Sequence, residues 1–222
     1  MLKDLKAIKG KYYIQRLIEE GEHEHQDFKF QISDVSKIAR SISAFANNDG
    51  GRLLVGVKDN GVIAGLRSEE DLYMLEAAAE MYCRPAVPLE MTKFLCEGGA
   101  VVLRAVIPAV ERKPVRCREA GGEWHAYYRV ADENIVAHPL MVRAWERRGA
   151  DTAGELLSLS AAESELLRHI GGARGLSVEE IARGAHMSLR MTEDTIVRLA
   201  AMGLVDFVHG KSGFMIVASD DD

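Results

Sequence analysis

The chain has 222 residues, 47% of them hydrophobic and 28% charged, with five prolines. This composition can bury a core and excludes a disordered chain. No stretch approaches the run of about 18 uncharged apolar residues that a membrane helix needs, and MLKDLKAIKGKYY carries charge where a signal peptide would be apolar. A cytoplasmic protein without membrane attachment is expected. Net charge is −6, but residues 1–150 balance 22 basic against 22 acidic side chains while the remainder holds 6 against 12, so any surface for a polyanion must be local.

In chain order, Leu5–Glu20 has helical spacing and Gly21 stops it. Asp27-Phe-Lys-Phe30 alternates as a strand, and Ser33-Asp34 opens a helix whose stripe is Val35, Ile38, Ile42 and Phe45. After Asn47-Asn-Asp-Gly-Gly51, the segments Arg52–Val57 and Val62–Leu66 flank the hairpin signal Asp59-Asn-Gly61. Ser68-Glu-Glu-Asp71 reads as a capping box for a helix ending before Arg84-Pro85. Glu90–Cys96 and Ala100–Ile107 flank a second hairpin turn at Gly98-Gly99. A strand is predicted at Trp124–Val130, and Pro139 suits the first turn of a helix running to Arg148. The predicted class is α+β, with helices on a mixed, mostly antiparallel sheet.

Residues 150–158 read as a linker between a first domain, 1–149, and a second, 159–218, with an acidic tail at 219–222. Helices capped by Ser160, Ser177 and Ser188 precede two short strands around His209-Gly-Lys-Ser-Gly213, the order of a winged helix-turn-helix. On DNA its third helix would present Arg190, Thr192 and Arg198, and its wing Lys211. With 6 basic against 7 acidic residues in 159–217, a role in assembly is the rival. Val205 occupies the position where a phosphate loop needs glycine, so the Gly-Lys-Ser turn is read as a wing. Cys83, Cys96 and Cys117 form no CxxC pair and are expected to be reduced and buried.

Gly21-Glu22-x4-Asp27-Phe28-Lys29, then Ala44-Phe-Ala-Asn-Asn-Asp-Gly-Gly51, Gly56-Val-Lys-Asp-Asn-Gly61 and Tyr128-Arg-Val130 resemble the Schlafen-type AlbA-like domain over about residues 14–138. The resemblance implies nucleic-acid binding, DNA more than RNA, and a bacterial transcriptional regulator with a winged helix behind the domain. It also implies a homodimer, because Schlafen cores pair two such lobes in one groove. Phosphate contacts are expected from Lys29, Arg112, Lys113, Arg116, Arg118 and Arg129, with Trp124, Tyr127 and Tyr128 interleaved as stacking or core residues. Binding of this kind requires no cofactor. In Schlafen nucleases three acids of this domain support RNA cleavage, and Glu22, Asp27 and Asp59 match them by position. Such a trio could hold Mg²⁺ or Mn²⁺ and make the alternative a metal-dependent ribonuclease. A further alternative is an ATP-sensing module. His23 and His25 flank Glu24, as ligands or as solvated loop residues.

Overall fold

The computed structural model describes residues 5–149, 159–210 and 213–219. They form two compact units, residues up to 111 with 115–137, and 112–114 with those from 138 onward. Among the described residues the class is α+β, with seven α-helices and mostly antiparallel sheets. The linker expected at 150–158 and all but Ser219 of the tail lie outside the described residues.

The first unit runs β1 (Ile8–Lys9), α1 (Lys11–Glu20), β2 (Gln26–Lys29), α2 (Val35–Asn47), β3 (Gly51–Val55), α3 (Glu70–Met81), β4 (Cys83–Arg84), β5 (Glu90–Leu95), β6 (Val101–Ile107), β7 (Arg116–Arg118), β8 (Trp124–Val130) and β9 (Glu133–Val136). Five strands form one sheet in the order β1-β5-β6-β3-β2, and four form another, β4-β7-β8-β9. Alternation gives the large sheet two apolar faces. Ile14 and Leu17 of α1 pack on Phe28, Leu54, Phe94 and Val102. Leu53, Val55, Leu103, Ala105 and Ile107 meet α2 and α3 on the other face.

Three expectations change. The first helix starts at Lys11, because Ile8 and Lys9 pair in parallel with Phe94 and Leu95. The Asp59-Asn60-Gly61 turn closes only a single bridge, Val57 to Ile63, while β3 takes β2 and β6 as its partners. Asp71 does not cap α3; it is buried and accepts from Ile32 N at 2.8 Å. The second hairpin forms as read, with Leu95 opposite Val101.

Helix α2 is capped by Asp34, whose carboxylate accepts from Ser36 N and Lys37 N. It lies between the two sheets and is buried almost along its whole length. Strand β7 pairs only with residues 124–126 of β8, so the backbone of residues 127–129 needs other partners on that side. Polar side chains of α2 and of Asn48 supply them. Ser43 Oγ donates to Val115 O at 2.8 Å and accepts from Tyr127 N at 3.1 Å. Asn47 Nδ2 donates to Val115 O and Tyr127 O, both at 2.8 Å, and its Oδ1 accepts from Val115 N at 2.7 Å. Asn48 accepts from Arg129 N at 3.0 Å and donates to Arg129 O at 2.9 Å.

The Gly50-Gly51 pair then turns the chain from α2 into β3. Gly50 has φ +78°, and a Cβ there would stand 2.8 Å from Ile107 O; one on Gly51 would strike the Phe45 ring. All three cysteines are free and buried, and burial pushes the Cys117 thiol up to about 12.

The second unit contains α4 (Pro139–Gly149), α5 (Ala161–Gly171), α6 (Val178–Gly184), α7 (Leu189–Ala201), β10 (Val205–Gly210) and β11 (Gly213–Ala218). Ser160 and Ser177 form capping boxes with Glu163 and Glu180, and Ser188 caps α7. Leu166, Ile170, Ile181, Ile196, Leu199 and Ile216 make its core. Helix α4, read from sequence with the first domain, packs on α7 and groups with this unit. Arg148 donates to Ala200 O at 2.6 Å, closing the C-terminal end of α7.

Asn47→Ala removes two donors and an acceptor from a buried backbone. A loss of about 3 kcal/mol in unfolding free energy is expected in urea titrations, against less than about 1 kcal/mol for Asn60→Ala in an exposed turn.

Candidate nucleic-acid interface

The four-stranded sheet turns one face to α2, carrying Cys83, Cys117 and Tyr127 into the core. Register decides what the other face holds. Arg84 stands opposite Arg116, and Arg118 opposite Trp124, so these four side chains share it. The Arg84 guanidinium lies 4.3 Å from the Trp124 ring centroid, a cation–π contact that orders both groups. Arg84 and Arg118 are exposed, Arg116 and Trp124 half-buried. Tyr127 and Tyr128 are both buried, which leaves Trp124 as the one of these three rings reachable from solvent.

The acids nearest in sequence are Glu119 and Glu123. Glu119 is turned onto Arg40, whose Nε donates to it at 2.9 Å, and it accepts from Tyr127 Oη at 2.6 Å. Those donors hold its carboxyl below the usual range, with the Arg40 hydrogen bond the largest favourable cause. Glu123 is exposed in the turn before Trp124. Arg116 has an interaction of its own, so Arg84, Arg118 and the indole are the groups on this face that can pair with phosphates and stack on a base. Arg84 was not singled out from sequence, since only the β4–β7 register places it there.

The remaining expected contacts divide. Arg112 is exposed and Lys113 half-buried, each with an interaction of its own. Arg129 is corrected: at 2% exposure it donates Nε to His23 O at 3.0 Å, Nη1 to Asn134 Oδ1 at 3.0 Å and Nη2 to Gln26 O at 3.2 Å. It clamps β8 to β2 and cannot reach a phosphate. Lys29 pairs with Asp27 at 2.7 Å. Thr192 is also corrected, because it is fully buried and its Oγ1 donates to Ser188 O at 3.0 Å. Arg198 pairs with the buried Glu163 at 2.8 Å. Arg190 is exposed in the first turn of α7, beside exposed Leu189 and Met191, while Asp194 pairs with Arg143. Lys211 lies outside the described residues.

The three acids expected at a metal centre do not assemble one. Glu22 accepts from Phe28 N at 2.8 Å and meets Asp27, whereas Asp59 is exposed in the Lys58–Gly61 turn. Among the described residues no group of three or more His, Cys, Asp and Glu side chains is placed to hold a metal ion. That donor set does not fit Mg²⁺ or Mn²⁺, and the histidines do not rescue it. His23 Nδ1 accepts from His25 N at 3.1 Å, and His25 Nδ1 bonds Gly50 O at 3.1 Å. Burial and the hydrogen bond with Asp27 instead push the Glu22 carboxyl above its ordinary range.

Residues 22–138 match the family described as Schlafen, AlbA_2. Among solved structures, the chain is similar to the DIP2311 protein from Corynebacterium diphtheriae at 18% identity and a TM-score of 0.42, covering 86% of this chain and 34% of that one. It thus spans about a third of that protein's length. It is also similar to the N-terminal domain of a RecG-related protein from Nitrosomonas europaea at 22% identity and a TM-score of 0.41, covering 60% of this chain and 97% of that domain. No curated protein matches.

The raised Glu22 fixes a sign for pH dependence. The folded state holds this proton more tightly than the unfolded chain, so the group's contribution is fully present below its ordinary value of 4.5 and is lost as pH rises through the folded value. Glu22→Gln keeps the acceptor for Phe28 N and a donor toward Asp27 without a titrating proton. Its melting temperature, measured by circular dichroism, should gain on the wild type as pH is raised from 4.5 toward neutrality.

Proposed function

The chain belongs to the Schlafen AlbA_2 family, and from that premise we propose that it binds nucleic acid through the exposed face of its β4-β7-β8-β9 sheet. The observation that carries this reading is the registered set Arg84, Arg116, Arg118 and Trp124. It gathers cations on one surface of a chain that is acidic in sum. Contacts of this kind are to phosphate and to base faces, so they favour affinity over sequence discrimination.

The finer role is a transcriptional regulator acting on DNA as a homodimer in the cytoplasm. Three helices followed by a hairpin support a winged helix-turn-helix in the second unit, and Arg190 in the first turn of α7 is its available base-reading side chain. A two-fold pair would double the arginine face and suit a symmetric operator. Among the described residues no helix is long and apolar enough to cross a membrane. The alternative reading, a metal-dependent nuclease, draws no support from a three-carboxylate cluster among the described residues.

Fluorescence anisotropy with labelled duplex and single-stranded oligonucleotides tests the reading. Phosphate contacts by Arg84 and Arg118 imply roughly 12-fold weaker binding as salt rises from about 50 to about 200 mM. Arg84→Ala with Arg118→Glu should cost at least about tenfold and flatten that salt slope. Affinity unchanged by the pair, and lost with Arg190→Glu, would move the site to the second unit.

A further inference from the structure

A second polar feature of the first unit lies on the α1 face of the five-stranded sheet. An open cleft of about 380 Å³ is lined by Tyr13, His25, Asp49, Arg52 and Arg104. Leu54 stands opposite Arg104, and Arg52 opposite Val106, so the two arginines are diagonal neighbours on one face.

Arg104 is the unusual member. Its guanidinium rests 5.5 Å from the ring centroids of both Tyr13 and Phe94, and Nη1 donates to Tyr13 Oη. Its Nε is buried without an acceptor, and among the described residues no carboxylate pairs with it. A half-buried cation lacking a counter-ion is costly unless an anion completes it. Arg52, by contrast, is anchored by Glu20 and by Gln26 Oε1 at 2.6 Å, which fixes its position on the cleft wall. His25 is held through Nδ1 by Gly50 O.

From this arrangement we propose that the cleft binds a phosphate monoester, carried by a mononucleotide or by the 5′-phosphorylated end of a strand. Two planar guanidinium groups and a phenol match a group with several acceptor oxygens better than they match a single carboxylate. The volume admits a nucleoside as well as its phosphate. Asp49, an exposed carboxylate in the lining, opposes the anion. The cleft shares no residue with the Arg84–Trp124 face, so the two readings stand or fall separately.

Isothermal titration of the full chain with sodium phosphate, 5′-AMP and a 5′-phosphorylated trinucleotide tests this, with sodium chloride at equal ionic strength and the 5′-hydroxyl trinucleotide as controls. Saturable binding to a phosphate-bearing probe is expected. It should weaken at least about tenfold in Arg104→Met and partly recover in Arg104→Lys. Asp49→Asn, at an exposed position, should tighten binding, and this variant decides the matter if Arg104→Met does not fold. Tighter capture of the trinucleotide than of 5′-AMP assigns a strand end, and equal or weaker capture assigns the free nucleotide. No saturable binding beyond the chloride control overturns the proposal, as does binding indifferent to Arg104 or, in the folding-deficient case, to Asp49.

Discussion

The first unit depends on three side chains that complete hydrogen bonds a short strand leaves open. Strand β7 ends its pairing at Ala126, and Ser43, Asn47 and Asn48 continue the ladder along Val115, Tyr127 and Arg129. An asparagine carries both a donor and an acceptor at its tip, so it can replace a neighbouring backbone residue. The result fixes the small sheet to α2, and α2 in turn is packed on the large sheet. The face bearing Arg84, Arg116, Arg118 and Trp124 is the outer side of the small sheet, and its register follows from how its inner side is held.

Charge is sorted by burial in this unit. Arg129 is consumed inside, bridging His23, Gln26 and Asn134 across strands, and its lost hydration is offset by four oxygens that include nearby Asp27. Arg40 is matched by Glu119 and Arg52 by Glu20. Arg84 and Arg104 are treated differently, because each rests on aromatic rings and no carboxylate among the described residues pairs with either. This contrast separates cations that hold the fold from those available to an external anion.

Several features were legible from residues alone. Caps at Asp34, Ser160, Ser177 and Ser188, the strand Trp124–Val130 and the α4 start at Pro139 were all readable, since each depends on groups within about four residues. The basic cluster around Arg116 and Arg118 was also visible. Arg129 and Thr192 were misjudged for one reason. A basic residue in a basic stretch and a polar residue near a helix start look exposed until distant chain closes over them, here from His23 and from the core of the second unit.

Sequence by itself determined the family, the α+β class and the ends of most elements, because local hydrogen bonding and hydrophobic period are short-range properties. Tertiary structure alone decided which strand neighbours which, and therefore that Arg84 stacks on Trp124 while Asp59 stays away from Glu22 and Asp27. Those relations join residues tens of positions apart. They are fixed by the packing of α2 between two sheets, a balance of burial and backbone satisfaction that no short window of sequence contains.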